Sequence, residues 1–181
     1  MNIITTEIEG VLIIEPKVFG DHRGFFFESY SKTRYQQAGL QEEFVQDNVS
    51  FSKKGILRGL HVQKGPSAQG KLVQVLLGEV YDVAVDIRPG SKTFGKWVGI
   101  YLSAENKKQF WIPPGLAHGF LVTSDEALFS YKCTKYYDPS SEFTLAYNDP
   151  SLNIPWPLTD VKLSEKDRSG LSLAEILKQE K

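Results

Sequence analysis

The sequence predicts an all-β fold: an antiparallel sandwich or jelly roll with a few short peripheral helices. Short β-type runs recur at near-regular spacing, Gly, Pro and Asp punctuate them, and helical periodicity is confined to the margins of the fold. In chain order, VLIIEP (11–16), GFFFESY (24–30), EFVQDNVSF (43–51) and ILRGLHVQ (56–63) read as strands. KLVQVLLGEVYDVAVDI (71–87) holds two runs around Gly78-Glu79 and predicts a hairpin. WVGIYL (97–102), QFWIP (109–113), GFLVTS (119–124) and ALFSYKC (127–133) complete the series. Helical pattern appears in SKTRYQQAGL (31–40), ended by Gly39, and from Ser172, where Ser172 and Glu175 fit a capping box. No repeat or linker divides the chain, so residues 1–181 are expected to form one domain. Its core should span about residues 43–147, with N-terminal strands (1–42) and a C-terminal segment (148–181) packing on it.

Composition narrows the function classes. Hydrophobic residues at 41% and charged residues at 24% argue against disorder, and a net charge of −1 gives no footprint for nucleic acid. Cys133 stands alone, which excludes an internal disulfide framework and fits a reducing compartment. The N-terminus lacks a basic region and is interrupted by Glu7 and Glu9, unlike a signal peptide. No apolar run approaches the roughly 20 residues of a membrane span. A soluble, cytoplasmic protein is expected, without nucleic-acid or membrane partners, and the acceptor pattern Asn48-Val49-Ser50 has no use there.

Several polar residues stand out inside the strand runs. GPSAQGK (65–71) copies the first seven positions of a phosphate-binding loop, but Leu72 replaces the magnesium-binding hydroxyl and a strand follows instead of a helix. Lys71 therefore needs another role, or is the solvated head of a strand. The histidines are His22, His61 and His118. Pro114-Gly115 with His118 resembles half of the metal pattern of cupin barrels, but the other half would need a second histidine where Gln63 stands, and a nearby carboxylate. No metal is expected. Arg58 and His61 are three apart, so a regular strand would point them to opposite faces, unless Gly59 hosts a bulge that re-aims one of them. Packing and chemistry both remain open for His61 from the pattern alone.

The blocks FGDHRGFFFESY, FVQDNVSFS, GILRGLHVQ, GKLVQVLLGEVYDVAVDIR, SKTFGKWVG, LSAENKKQFWIPPGLAHGF, YKCTKYYDP, NDPSLNIPWP and LSEKDR follow in order over most of the chain. Together they closely resemble the dTDP-4-dehydrorhamnose 3,5-epimerases, cupin-type jelly-roll homodimers that use no metal or organic cofactor. The resemblance implies a dTDP-4-keto-6-deoxyhexose substrate, epimerised at C3 and C5. It implies His61 as base with Asp167 as its partner, Tyr131 as general acid on the opposite face and Lys71 beside the C4 oxyanion. His118 and Arg58 match the sugar and phosphate region; Arg23, Glu28, Gln46 and Asn48 match the nucleotide surface. Tyr137 matches the aromatic that stacks on thymine, with Glu142 and Lys166 beside it, and part of this surface is expected from the partner subunit's N-terminal strands. Val62, Lys64-Gly65-Pro66 and Ser141-Glu142-Phe143-Thr144 depart from the usual pattern and leave nucleotide or sugar preference open.

Overall fold

The computed structural model describes residues 1–179. The strands are β1 (Asn2–Thr5), β2 (Leu12–Glu15), β3 (Val18–Asp21), β4 (Gly24–Phe27), β5 (Gln46–Lys53), β6 (Leu57–Gln63), β7 (Lys71–Leu77), β8 (Glu79–Asp86), β9 (Trp97–Ser103), β10 (Gln109–Ile112), β11 (Leu116–Val122), β12 (Glu126–Cys133) and β13 (Glu142–Thr144). The helices are α1 (Lys32–Gln37), α2 (Glu165–Arg168) and α3 (Leu173–Gln179), besides a single 3-10 turn at Gly65–Ser67. Two antiparallel sheets face each other, in the orders β1-β2-β10-β7-β12-β5 and β13-β6-β11-β8-β9, while β3 and β4 form a separate hairpin. This is a cupin-like jelly roll.

The hairpin expected at Gly78-Glu79 does not form. β7 pairs with β10 and β12, whereas β8 pairs with β11 and β9, so Gly78 is a corner where the chain changes sheets. Glycine fits there because φ is 74° and an added Cβ would lie 1.9 Å from the Glu126 carbonyl oxygen. The capping box at α3 forms as expected: the Ser172 N–H donates to Glu175 Oε2 (2.8 Å) and the Glu175 N–H to Ser172 Oγ (3.3 Å).

Alternation along each strand separates a core from outer layers. Val73, Val75, Val80, Ala84, Phe110, Phe120 and Phe129 meet between the sheets. Tyr81, Val83 and Val85 point the other way, under Leu145, Leu152 and Ile176 of the C-terminal segment. The five-stranded sheet is thus covered on both faces, which makes β8 and β11 almost wholly buried. Tyr35 and Leu40 of the α1 region cover Ile14, Leu72 and Trp111 on the outside of the other sheet. The strictly apolar part of the sandwich ends where β6, β7, β11 and β12 bring polar side chains inward.

Candidate active site

Ladder register sets the direction of these polar groups. His61 pairs with His118, which pairs with Ala84 of the inter-sheet core, so both histidines face the interior of the sandwich. On the opposite wall Lys71 pairs with Cys133, Tyr131 with Val73 and Asn48, and Cys133 with Gln46. These side chains share the inward face of Val73. They enclose a cavity of about 290 Å³ lined by Gln46, Asn48, His61, Gln69, Lys71, Tyr131, Cys133, Tyr137 and Glu142. His61 and Tyr131 therefore approach it from different sheets.

The spacing of Arg58 and His61 is resolved by a bulge. His118 faces His61 and Phe120 faces Arg58, so Gly59 and Leu60 together stand against the single residue Gly119. Gly59 has φ 111°, and an added Cβ would meet Gly119 Cα and the His118 carbonyl oxygen, each at 2.6 Å. The extra residue lets Arg58 share the inward side with Phe120. At the open edge its Nε donates to Ser52 Oγ of β5 (3.0 Å), bridging the two sheets.

Asp167 arrives from the C-terminal segment. Parallel bridges at Ile56–Lys162 and Leu145–Leu171 bracket α2 and dock it on β6. His61 Nε2 lies 2.5 Å from Asp167 Oδ1. Ser164, the N-cap of α2, accepts the Asp167 N–H and donates its hydroxyl to Asp167 Oδ2 (2.8 Å). Burial works to raise the Asp167 carboxyl, but the hydrogen bond and charge of His61, Ser164 and the Gly59 N–H outweigh it and hold the group below the ordinary range. Asp167 thus combines the helix-start role with the pairing to His61.

Behind His61, His118 Nε2 contacts both oxygens of Asp82 at 2.9 and 3.1 Å, with Asp82 fully buried. Burial pushes His118 below its usual pKa despite Asp82, so its imidazole is neutral at neutral pH. Burial also depresses the Lys71 ammonium, opposed by Cys133, Glu142 and Asp82, and raises the Tyr131 hydroxyl, leaving it protonated. At the rim, Glu142 receives the Tyr137 hydroxyl (2.8 Å) and the Lys166 ammonium on one oxygen. Burial pulls Glu142 upward, yet Lys166, Tyr137 and His61 keep it ionised. Gln46 Nε2 donates to Asn48 Oδ1 (3.0 Å), and Asn48 Nδ2 lies 3.6 Å from Cys133 Sγ.

Two expected residues stay outside this constellation. Arg23 is at the tip of the β3–β4 hairpin, 78% exposed and paired with Asp21 at 2.5 Å. Glu28 pairs with Arg34 beside α1. Conversely, the sequence pattern does not point to Asp82 or Gln69, nor to Cys133 as a lining residue of this cavity. A lone aspartate in the apolar run VYDVAV was the available signal for Asp82, since an acid buried in a strand needs a partner. Gln63, which occupies the position of a missing metal histidine, binds backbone groups of two loops. Among the described residues no group of three His, Cys, Asp or Glu is arranged to hold a metal ion.

A jelly roll whose cavity gathers a His–Asp pair, a lysine and a tyrosine on facing walls defines the class: an acid–base enzyme of the cupin-like type. The chain belongs to the dTDP-4-dehydrorhamnose 3,5-epimerase family, a family of isomerases, whose model matches residues 5–175. The enzyme of that name from Shigella flexneri is 59% identical over 171 residues, covering 94% of each chain. A dTDP-6-deoxy-D-glucose-3,5-epimerase from Legionella pneumophila, solved with dTDP-4-keto-L-rhamnose, superposes with a TM-score of 0.92 at 58% identity, covering 97% of this chain and 96% of its own. A 3'-monoepimerase from Streptomyces bikiniensis, solved with dTDP-quinovose, has a TM-score of 0.90 at 34% identity, covering 97% and 89%.

Proposed function

We propose that this chain converts dTDP-4-dehydro-6-deoxy-D-glucose to dTDP-4-dehydro-L-rhamnose by inverting C3 and C5. Both carbons are α to the C4 ketone, so loss of either proton gives an enolate. His61 is the base. With Nε2 given to Asp167, Nδ1 is the nitrogen left to take the proton, and the carboxylate steadies the imidazolium that results. Tyr131, protonated and on the other sheet, returns a proton from the opposite face. Lys71 meets the enolate oxygen as a positive charge. The reaction moves protons without net oxidation, and these side chains supply each proton step. The observation that carries this reading is the 2.5 Å His61–Asp167 pair, opening on the cavity that Lys71 and Tyr131 also line.

The sugar and phosphate region falls to Arg58, with His118 enclosed against Asp82 behind His61, and the nucleotide to Gln46, Asn48, Tyr137, Glu142 and Lys166 within the chain and to Arg23 and Glu28 of a second copy. A homodimer fits the exposed apolar surface: Phe19, Phe25 and Phe26 on the isolated hairpin, and Val49 and Phe51 on the outward face of edge strand β5.

Incubation of the 4-keto sugar nucleotide in deuterium oxide tests the reaction. Deuterium at both C3 and C5 is expected, with a product that a 4-keto reductase turns into dTDP-L-rhamnose. Label at one carbon with one inverted product would instead support the monoepimerase chemistry of the Streptomyces relative. His61→Ala should lower exchange at both carbons by at least ~10²-fold. Tyr131→Phe should keep exchange but lose inversion, because the imidazolium of His61 can trade the abstracted proton for solvent deuterium and return a deuteron to the same face.

A further inference from the structure

We propose that Gln63 is a positioning residue for nucleotide binding, its buried amide clamping the backbone on both sides of Tyr137. The inference rests on the reading above, in which Tyr137 stacks on the thymine base. Gln63 closes β6 two residues after His61 and is 5% exposed. Its Oε1 accepts the Asp138 N–H (3.0 Å), while its Nε2 donates to the Tyr136 carbonyl (3.3 Å) and the Ser67 carbonyl (2.7 Å). The peptide group before Tyr137 is held a second time, since its N–H donates to Gln46 Oε1 (3.0 Å). The peptide group after Tyr137 is the one whose N–H reaches Gln63.

Residues 134–138 belong to no strand or helix, so ladder hydrogen bonds do not fix Tyr137. Tyr137 is itself 53% exposed, and its hydroxyl donates to Glu142 Oε2 (2.8 Å). Side-chain hydrogen bonds therefore determine where the ring stands. Gln63 also ties this loop to the 3-10 turn at Gly65–Ser67, and Ser67 Oγ adds a bond to Asp138 Oδ2 (2.8 Å). Only an amide presents one acceptor and two donors here. A carboxylate would set a negative oxygen against two carbonyls, and a thioether would leave all three backbone groups without this partner.

The test compares Gln63→Met, which keeps the volume, with Gln63→Glu, Tyr137→Ala and the Gln63→Met/Tyr137→Ala double variant. We expect Gln63→Met to weaken dTDP binding and raise KM about tenfold while kcat at saturation is unchanged, with Gln63→Glu weaker still. Tyr137→Ala should weaken dTDP about tenfold or more, and Gln63→Met should add nothing on top of it. Unchanged dTDP affinity in folded Gln63→Met overturns the clamp, as does a fall in kcat with KM constant. Full additivity of the two substitutions also overturns it. Unchanged dTDP affinity in Tyr137→Ala defeats the stacking reading itself, and the clamp with it. If Gln63→Met does not fold, amide exchange of Asp138 in the unaltered protein decides the matter: protection like that of a strand amide supports the clamp, and free-loop exchange defeats it.

Discussion

Two histidines stand side by side across the β6–β11 ladder, and each is committed to a different carboxylate. His61 keeps 26% of its side chain exposed, so it can meet a substrate, whereas His118 at 7% is enclosed with Asp82 and stacked near Phe129. The consequence is a pH dependence of stability that belongs to His118. Its folded pKa is depressed by burial, while in the unfolded chain it returns to about 6.5. Below that value the unfolded state binds the proton and the folded state resists it, so stability falls as pH drops. Asp167 adds a separate loss at lower pH: its folded pKa is also depressed, so its contribution is present above about pH 4 and disappears as pH falls through the folded value. The urea midpoint should therefore decline between pH 7.5 and 5.5, before the carboxylates titrate, and His118→Asn should flatten that decline. A midpoint constant over this range would contradict the assignment.

At the scale of elements, the bulge in β6 aims the chemistry. Gly59→Ala would put a methyl group 2.6 Å from the backbone of β11 at a φ of 111°, and both strands are held by further ladder bonds. We expect a loss of about 3 kcal/mol or more in unfolding free energy, with activity falling further than stability because Arg58 and His61 lose their common face. Equal activity per folded molecule would separate the bulge from the chemistry. Gly59 was legible in the sequence as a place where a bulge was possible, and most strands were legible from alternation and turn residues. Which strands pair was not: β7 and β8 are adjacent in sequence yet join different sheets, because pairing follows contacts made far along the chain. The short strands β1, β3 and β13 carried too little pattern to read.

At the scale of the molecule, the site as seen in one chain lacks two of the residues the family blocks supply. Pattern alone left His61 between packing and chemistry; the blocks gave it a role, and the structure brought Asp167 to it from 106 positions away. Arg23 and Glu28 instead face outward on or near a hairpin that shows Phe19, Phe25 and Phe26 to solvent. A two-stranded hairpin gains little stability alone, so a surface of this kind calls for another chain. If a symmetric dimer exchanges these segments, each cavity combines His61 of one chain with Arg23 of the other. That arrangement has a distinctive outcome when two defective proteins are mixed. Arg23→Ala and His61→Ala, each assayed alone at low substrate, should both be slow. After denaturation and co-refolding in equal amounts, half of the dimers pair one variant with the other. In such a dimer one cavity carries both substitutions and the other carries neither. Activity should therefore return to about a quarter of that of the unaltered protein. If Arg23 served the cavity of its own chain, every cavity in the mixture would keep one defect, and co-refolding would restore nothing.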